Sequence, residues 1–130
     1  MIAWDESYST GNKKIDADHK RLFAYVNELE AALKKGVAVE QLTQIVEFMG
    51  RYATAHFVSE EALMARAKCP ARRENCKAHQ AFSLKIRGWF ARLAEGGSTE
   101  LVTEIYKETS SWLTGHIVKI DCQLRGCHAP

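Results

Sequence analysis

The stretch His56-Phe57-Val58-Ser59-Glu60-Glu61 lies in a run of apolar residues that recur with the 3.6-residue period of an α-helix. Residues four apart on a helix share one face, so the His56 imidazole and the Glu60 carboxylate are expected to point the same way. Such a pair can bind one iron, manganese or zinc ion. The same spacing is common on solvated helices, so the pair becomes informative only together with the other histidines.

The helical period recurs in four segments joined by short connections. Glycines and a proline mark the breaks, because glycine often ends a helix and proline cannot continue one. The predicted helices run from a cap at Asp16 or Asp18 to about Lys35, from about Val39 to about Ala65, from about Ala71 to Leu93, and from a cap at Ser98 or Thr99 to about Leu124. No alternating pattern typical of strands competes with them.

The first 15 residues show no clear period, and the large side chains of Trp4 and Tyr8 are expected to pack this arm against the body. Four helices with short connections favour up-down-up-down topology. We therefore predict an all-α, up-down-up-down four-helix bundle with an N-terminal arm, forming a single domain over residues 1–130.

Length and charge exclude several classes of protein. The chain has 130 residues, which suits one domain with its own core. Its formal net charge is +2 and no basic block stands out, so we expect neither a nucleic-acid nor a membrane partner. The N-terminus lacks a signal-peptide pattern, and no apolar stretch is long enough to span a bilayer. We expect a cytoplasmic monomer.

The four cysteines are expected to be free thiols, because the cytoplasm is reducing. They are Cys69, Cys76, Cys122 and Cys127. An alternative is a structural zinc site formed by Cys69, Cys76, Cys127 and His128.

Four of the five histidines are predicted to meet in one layer of the bundle. In alternating helices, the starts of the first and third lie at the same end as the finishes of the second and fourth. At a rise of 1.5 Å per residue, all the candidate groups fall within about 15 Å of that end. These groups are His19 on the first helix, His56 and Glu60 on the second, His79 on the third, and His116 and Asp121 on the fourth.

This set of side chains is typical of a metal centre. Buried imidazoles need polar partners, so four of them at one level are hard to explain as packing. Six ligands exceed what one tetrahedral zinc takes, and they suit two metal ions bridged by carboxylates in the core of a bundle. Asp121 is five residues after His116 rather than four, so it would approach from the side of the helix, as a bridging ligand can.

Four motifs resemble those of the bacterial hemerythrins, and the resemblance covers almost the whole chain. The motifs are Asp16-Ala17-Asp18-His19, His56-Phe57-Val58-Ser59-Glu60-Glu61, His79-Gln80-Ala81-Phe82 and His116-Ile117-Val118-Lys119-Ile120-Asp121. The resemblance implies two non-haem iron ions, oxo- or hydroxo-bridged, that bind dioxygen reversibly.

The resemblance also assigns roles to individual residues. It implies that His19 and His56 hold the iron with the open position, that His79 and His116 hold its partner, and that Glu60 and Asp121 bridge the two. Four apolar residues match the family's oxygen pocket: Phe57, Trp112, Leu113 and Ile117.

One position departs from the family pattern. Members of the family usually have a histidine four residues before the one at His79, and here that position is Asn75. Asn75 could coordinate the iron weakly through its amide oxygen, or a water molecule could fill the position. The side chain of Glu74 or Cys76 could also swing in. Cys76 ranks last, because it points about 100° away on the helix. The site either binds metal poorly or has an open position on each iron.

These observations leave three hypotheses for the function. The leading hypothesis is a protein that binds dioxygen as a carrier, store or sensor. It would not be an enzyme. The second is peroxide or nitric-oxide chemistry at a centre altered by Asn75, with a peroxidase-like activity. The third is a metal-poor interaction module whose bundle is structural.

Overall fold

The computed structural model describes residues 1–119, and their side chains up to residue 117. A short 3-10 turn, Glu6–Tyr8, precedes four α-helices. They are α1 (Lys13–Lys35), α2 (Val39–Arg66), α3 (Arg72–Glu95) and α4 (Thr99–Lys119). Helix α1 packs on α2 and α4, while α2 also packs on α3. The prediction of an all-α four-helix bundle is confirmed.

The start of α1 differs from the prediction. Asn12 is the capping residue, and its side-chain oxygen accepts a hydrogen bond from the backbone N–H of Ile15. The predicted caps, Asp16 and Asp18, lie inside the first turns of the helix instead. Asp16 accepts hydrogen bonds from the end of the N-terminal arm, at Thr10 among others. It therefore ties the arm to the bundle.

The other helix ends follow the sequence closely. Gly36 follows α1 in the left-handed conformation, with φ 71°, which glycine adopts without strain. The Ser98 hydroxyl accepts a hydrogen bond from the Leu101 N–H at the start of α4. The α2–α3 connection is short and contains Pro70. These short links keep consecutive helices antiparallel.

A buried apolar core fills the bundle, and the N-terminal arm covers one side of it. Trp4, Tyr8 and Phe23 pack edge to face, with ring centroids 5.7 to 5.9 Å apart. The Ile2 N–H donates to the Asn27 side chain on α1, which fixes the arm further. Within residues 1–119, no helix is both long and apolar enough to cross a bilayer.

The cysteines do not all behave as expected. Cys69 is disulfide-bonded, so the expectation of a free thiol is wrong at this position. That bond also removes it as a thiolate ligand for the alternative zinc site. Cys76 is a free thiol. Cys122, Cys127 and His128 lie outside the described residues.

Candidate metal centre

Five of the six predicted ligands converge at one end of the bundle. They form two groups that share a carboxylate: His19, His56 and Glu60 in the first, and Glu60, His79 and His116 in the second. Within each group the possible ligand atoms lie within 4.8 Å of one another. All five side chains are buried. The sixth predicted ligand, Asp121, lies outside the described residues.

Glu60 stands between the two groups and turns one oxygen toward each. Its Oε2 atom is 3.1 Å from His19 Nε2 and 2.9 Å from His56 Nε2. Its Oε1 atom is 3.6 Å from His79 Nε2. This is the arrangement that a carboxylate needs to bridge two metal ions.

In the first group, the hydrogen bond to Asp18 determines which nitrogen of His56 carries the proton. His56 Nδ1 lies 2.8 Å from Asp18 Oδ2, and an ionised carboxylate only accepts hydrogen bonds, so Nδ1 carries a proton. In the neutral ring, Nε2 then has a lone pair directed at Glu60 Oε2. Two acceptors facing each other at 2.9 Å need a proton or a metal ion between them.

The second group has the same property. His79 Nδ1 lies 3.1 Å from Glu61 Oε2, so its proton is directed at Glu61 and its Nε2 lone pair faces the site. That Nε2 lies 3.1 Å from His116 Nε2. Two imidazole nitrogens at this distance need a proton or a metal ion between them.

The distances are compatible with ligation of a metal ion. Ligands about 2.1 Å from a metal and at right angles to each other lie about 3.0 Å apart. The nitrogen–oxygen and nitrogen–nitrogen distances of 2.9 to 3.1 Å match that spacing in both groups. Four imidazoles and a carboxylate favour iron, manganese or zinc. The residues present therefore fit a pair of such ions.

A hydrogen-bond network holds the His56 ring in place. Asp18 is buried and accepts hydrogen bonds from Tyr52 Oη at 2.9 Å and Lys14 Nζ at 2.5 Å as well as from His56. Burial raises the pKa of Asp18, but the hydrogen bonds from Lys14, His56 and Tyr52 outweigh it and the net pKa is lowered. Burial, then the bond to Asp18, raises the pKa of Tyr52 to about 12. Asp18 therefore stays ionised and Tyr52 stays a donor.

Replacing Asp18 with asparagine is expected to lower metal affinity about 10- to 100-fold, because a carboxylate behind a histidine ligand fixes its tautomer and raises its basicity. The measurement is competition with a chelator of known affinity. The matched control is Glu108→Gln, which removes an exposed carboxylate that pairs with Lys85 far from the site. An unchanged affinity for the Asp18 variant would show that this network does not support the metal.

Aromatic side chains cover the second group. Phe57 stacks on His79 with centroids 4.1 Å apart, and Trp112 stacks on His116 at 4.3 Å. Phe57, Trp112 and Leu113 also line an apolar cavity of about 20 Å³ in the core, enough for about one small molecule. Three of the four residues matched to an oxygen pocket therefore border one cavity. The fourth, Ile117, is buried but does not line it.

Asn75, the position that departs from the family pattern, is completely buried. Its Nδ2 donates to Glu60 Oε1 at 2.6 Å and to Met64 Sδ at 3.0 Å. Its carbonyl oxygen meets no donor in the part of the chain that the structure describes. Of the other candidates for this position, Glu74 is exposed, and the Cys76 thiol bonds to the Glu61 side chain.

The sequence pattern does not identify Asp18 and Glu61 as functional residues. Each is adjacent in sequence to a ligand, and each binds a histidine on a neighbouring helix. Aspartate is also a good helix cap, so the residue type of Asp18 equally suits that role. The contacts depend on how the helices are rotated against one another, and a single sequence gives no signal for that.

The comparisons with known proteins agree with this geometry. A family model described as the hemerythrin HHE cation binding domain matches residues 10–124. A bacteriohemerythrin of Pseudomonas aeruginosa (strain LESB58) is 28% identical over 116 residues, 89% of this chain and 74% of that protein. A hemerythrin-like protein of Naegleria gruberi is 28% identical over 123 residues, 95% of this chain and 90% of that protein. A myohemerythrin of Theromyzon tessulatum is 26% identical over 123 residues, with the same coverage.

Proposed function

The chain belongs to the hemerythrin family, and we propose that it is a non-haem diiron protein that binds dioxygen reversibly, as an oxygen carrier, store or sensor. The observation that carries the proposal is the position of Glu60, which is fully buried and turns one oxygen toward each of two histidine pairs. The match to a cation binding domain supports a metal centre, and the relatives named bacteriohemerythrin and myohemerythrin support the family.

We assign one iron to His19, His56 and Glu60, and the other to Glu60, His79 and His116. Asp121 is proposed as the second bridging carboxylate. When bound, the two ferrous ions would supply the electrons that dioxygen takes up reversibly.

The chain's own residues prepare the site for this task. Asp18 and Glu61 hold the outer nitrogens of His56 and His79, so that both Nε2 lone pairs point inward. Phe57 and Trp112 cover the second histidine pair with apolar surface. This cover excludes water and protons, which would promote irreversible oxidation of the iron pair. The adjacent apolar cavity has room for a small uncharged molecule.

The second candidate function is peroxide or nitric-oxide chemistry, and the observation in its favour is Asn75. An amide replaces an imidazole beside the second histidine pair, and its oxygen has no donor among residues 1–119. A centre with fewer protein ligands accepts more ligands from solution, and it is then better suited to turnover than to storage.

Anaerobic loading with ferrous iron followed by titration with dioxygen separates the candidates. Our proposal predicts uptake of one dioxygen for every two irons and an optical spectrum that reverses when the gas is removed. A spectrum that decays at once, with steady consumption of added peroxide, would favour the second function instead. Protein that retains no iron would contradict both and favour the metal-poor interaction module.

A further inference from the structure

The Asn75 side chain has a hydrogen-bonding capacity that its protein neighbours do not use. It is 0% exposed, and it lies one helical turn before His79, on the same face of α3. One of its two N–H groups is directed at Glu60, the other at the sulfur of Met64, which is a weak acceptor. Its oxygen has no donor within residues 1–119. A buried carbonyl without a donor in a protein core calls for an explanation.

The Asn75 amide lies beside the metal position of the second group. Its nitrogen is 2.6 Å from Glu60 Oε1, the oxygen that faces the second group. The amide therefore borders the metal position of His79 and His116. Those two imidazoles and one carboxylate oxygen are fewer ligands than an iron ion normally takes, even if Asp121 adds another.

We propose that the iron held by His79 and His116 has an exchangeable ligand position on the side of Asn75, and that the Asn75 amide hydrogen-bonds the small ligand bound there. This inference rests on the proposed function, because it requires the iron pair. A ligand that carries a proton, such as water or hydroperoxide, would donate to Asn75 Oδ1. A bare anion such as azide would instead accept the N–H that is now directed at Met64, at the cost of only a weak bond.

A groove between α2 and α3 reaches His79 and is bordered by Phe57 and Glu61. The Glu61 side chain is 30% exposed and binds the outer nitrogen of His79, so it lies where the groove meets the site.

Azide titration of the diferric protein tests the proposal. We expect wild type to bind two azides per iron pair, one at each iron, and Asn75→His to bind one, because the imidazole takes the position. We expect Asn75→Ala to bind the second azide at least about tenfold more weakly, because it loses a hydrogen bond to a charged ligand. Asn27→Ala is the matched control, since among residues 1–119 the Asn27 side chain hydrogen-bonds the backbone of the arm at Ile2.

The outcomes distinguish this proposal from the function on which it rests. A protein that loads no iron contradicts the proposed function. A protein that loads two irons but binds one azide, with the same affinity in wild type, Asn75→His and Asn75→Ala, overturns the ligand position alone. If Asn75→His loads iron poorly, the azide count of wild type and the weakened binding in Asn75→Ala still decide the question. A crystal structure with azide should place the second anion within hydrogen-bond distance of Asn75.

Discussion

Replacing Glu60 with alanine is expected to abolish the two-iron centre, reducing the iron content from two per chain to almost none. Both groups of candidate ligands depend on this one carboxylate, which contacts His19 and His56 through one oxygen and His79 through the other. Without it, the two groups lose the one carboxylate that they share, and less negative charge remains to offset the metal ions. His56→Ala should have the same effect on the first iron and loosen the second.

Iron analysis of the purified variants measures this effect, with circular dichroism to verify that the helices persist. Leu29→Ala is the matched control, because Leu29 is fully buried on α1 but ten residues beyond His19. It should lose about 2–5 kcal/mol of stability and keep its iron. Two irons per chain in Glu60→Ala or His56→Ala would show that the ligands are assigned wrongly.

Replacing Asn75 with histidine is expected to strengthen the weaker half of the centre. A neutral amide is a poorer iron ligand than imidazole, and position 75 shares a helix face with His79. The iron of His79 and His116 should therefore be lost at least about tenfold more slowly to a chelator, which corresponds to about 1.4 kcal/mol. The oxygenated form should also last longer, because the position through which small ligands enter is closed.

Iron retention after mild chelation and the autoxidation rate, compared between wild type and variant, provide the test. Met64 has to move, since its sulfur is 3.0 Å from the Asn75 nitrogen and both side chains are fully buried. Met64→Leu alone is therefore a control for disturbed packing. If Asn75→His holds iron no better and its oxygenated form lasts no longer, then Asn75 does not border the second iron.

The sequence was sufficient for the architecture and for the convergence of the histidines. The 3.6-residue period and the breaks at Gly36 and Pro70 located the helices within a few residues. Alternation of direction then placed His19, His56, Glu60, His79 and His116 at one end, where the structure brings them together. Helical geometry is regular enough for such extrapolation over one bundle.

The cap of α1, the residues that bind the outer nitrogens of the histidines, and the disulfide depend on tertiary contacts. A single sequence does not reveal such contacts. Asn12, Asp16 and Asp18 are all good capping residues by type, and only the tertiary contacts of the two aspartates decide that Asn12 has this role. The roles of Asp18 and Glu61 likewise depend on the rotation of neighbouring helices. The disulfide at Cys69 contradicts the expectation of free thiols, which depends on a reducing compartment and not on any pattern in the chain.

Anomalous diffraction at the iron absorption edge, from crystals of the iron-loaded protein, tests the central claim most directly. We predict two peaks, one on each side of the Glu60 carboxylate, the first beside His19 and His56 and the second beside His79 and His116. A single peak, or peaks away from Glu60, would contradict the assignment of a carboxylate-bridged iron pair to this chain.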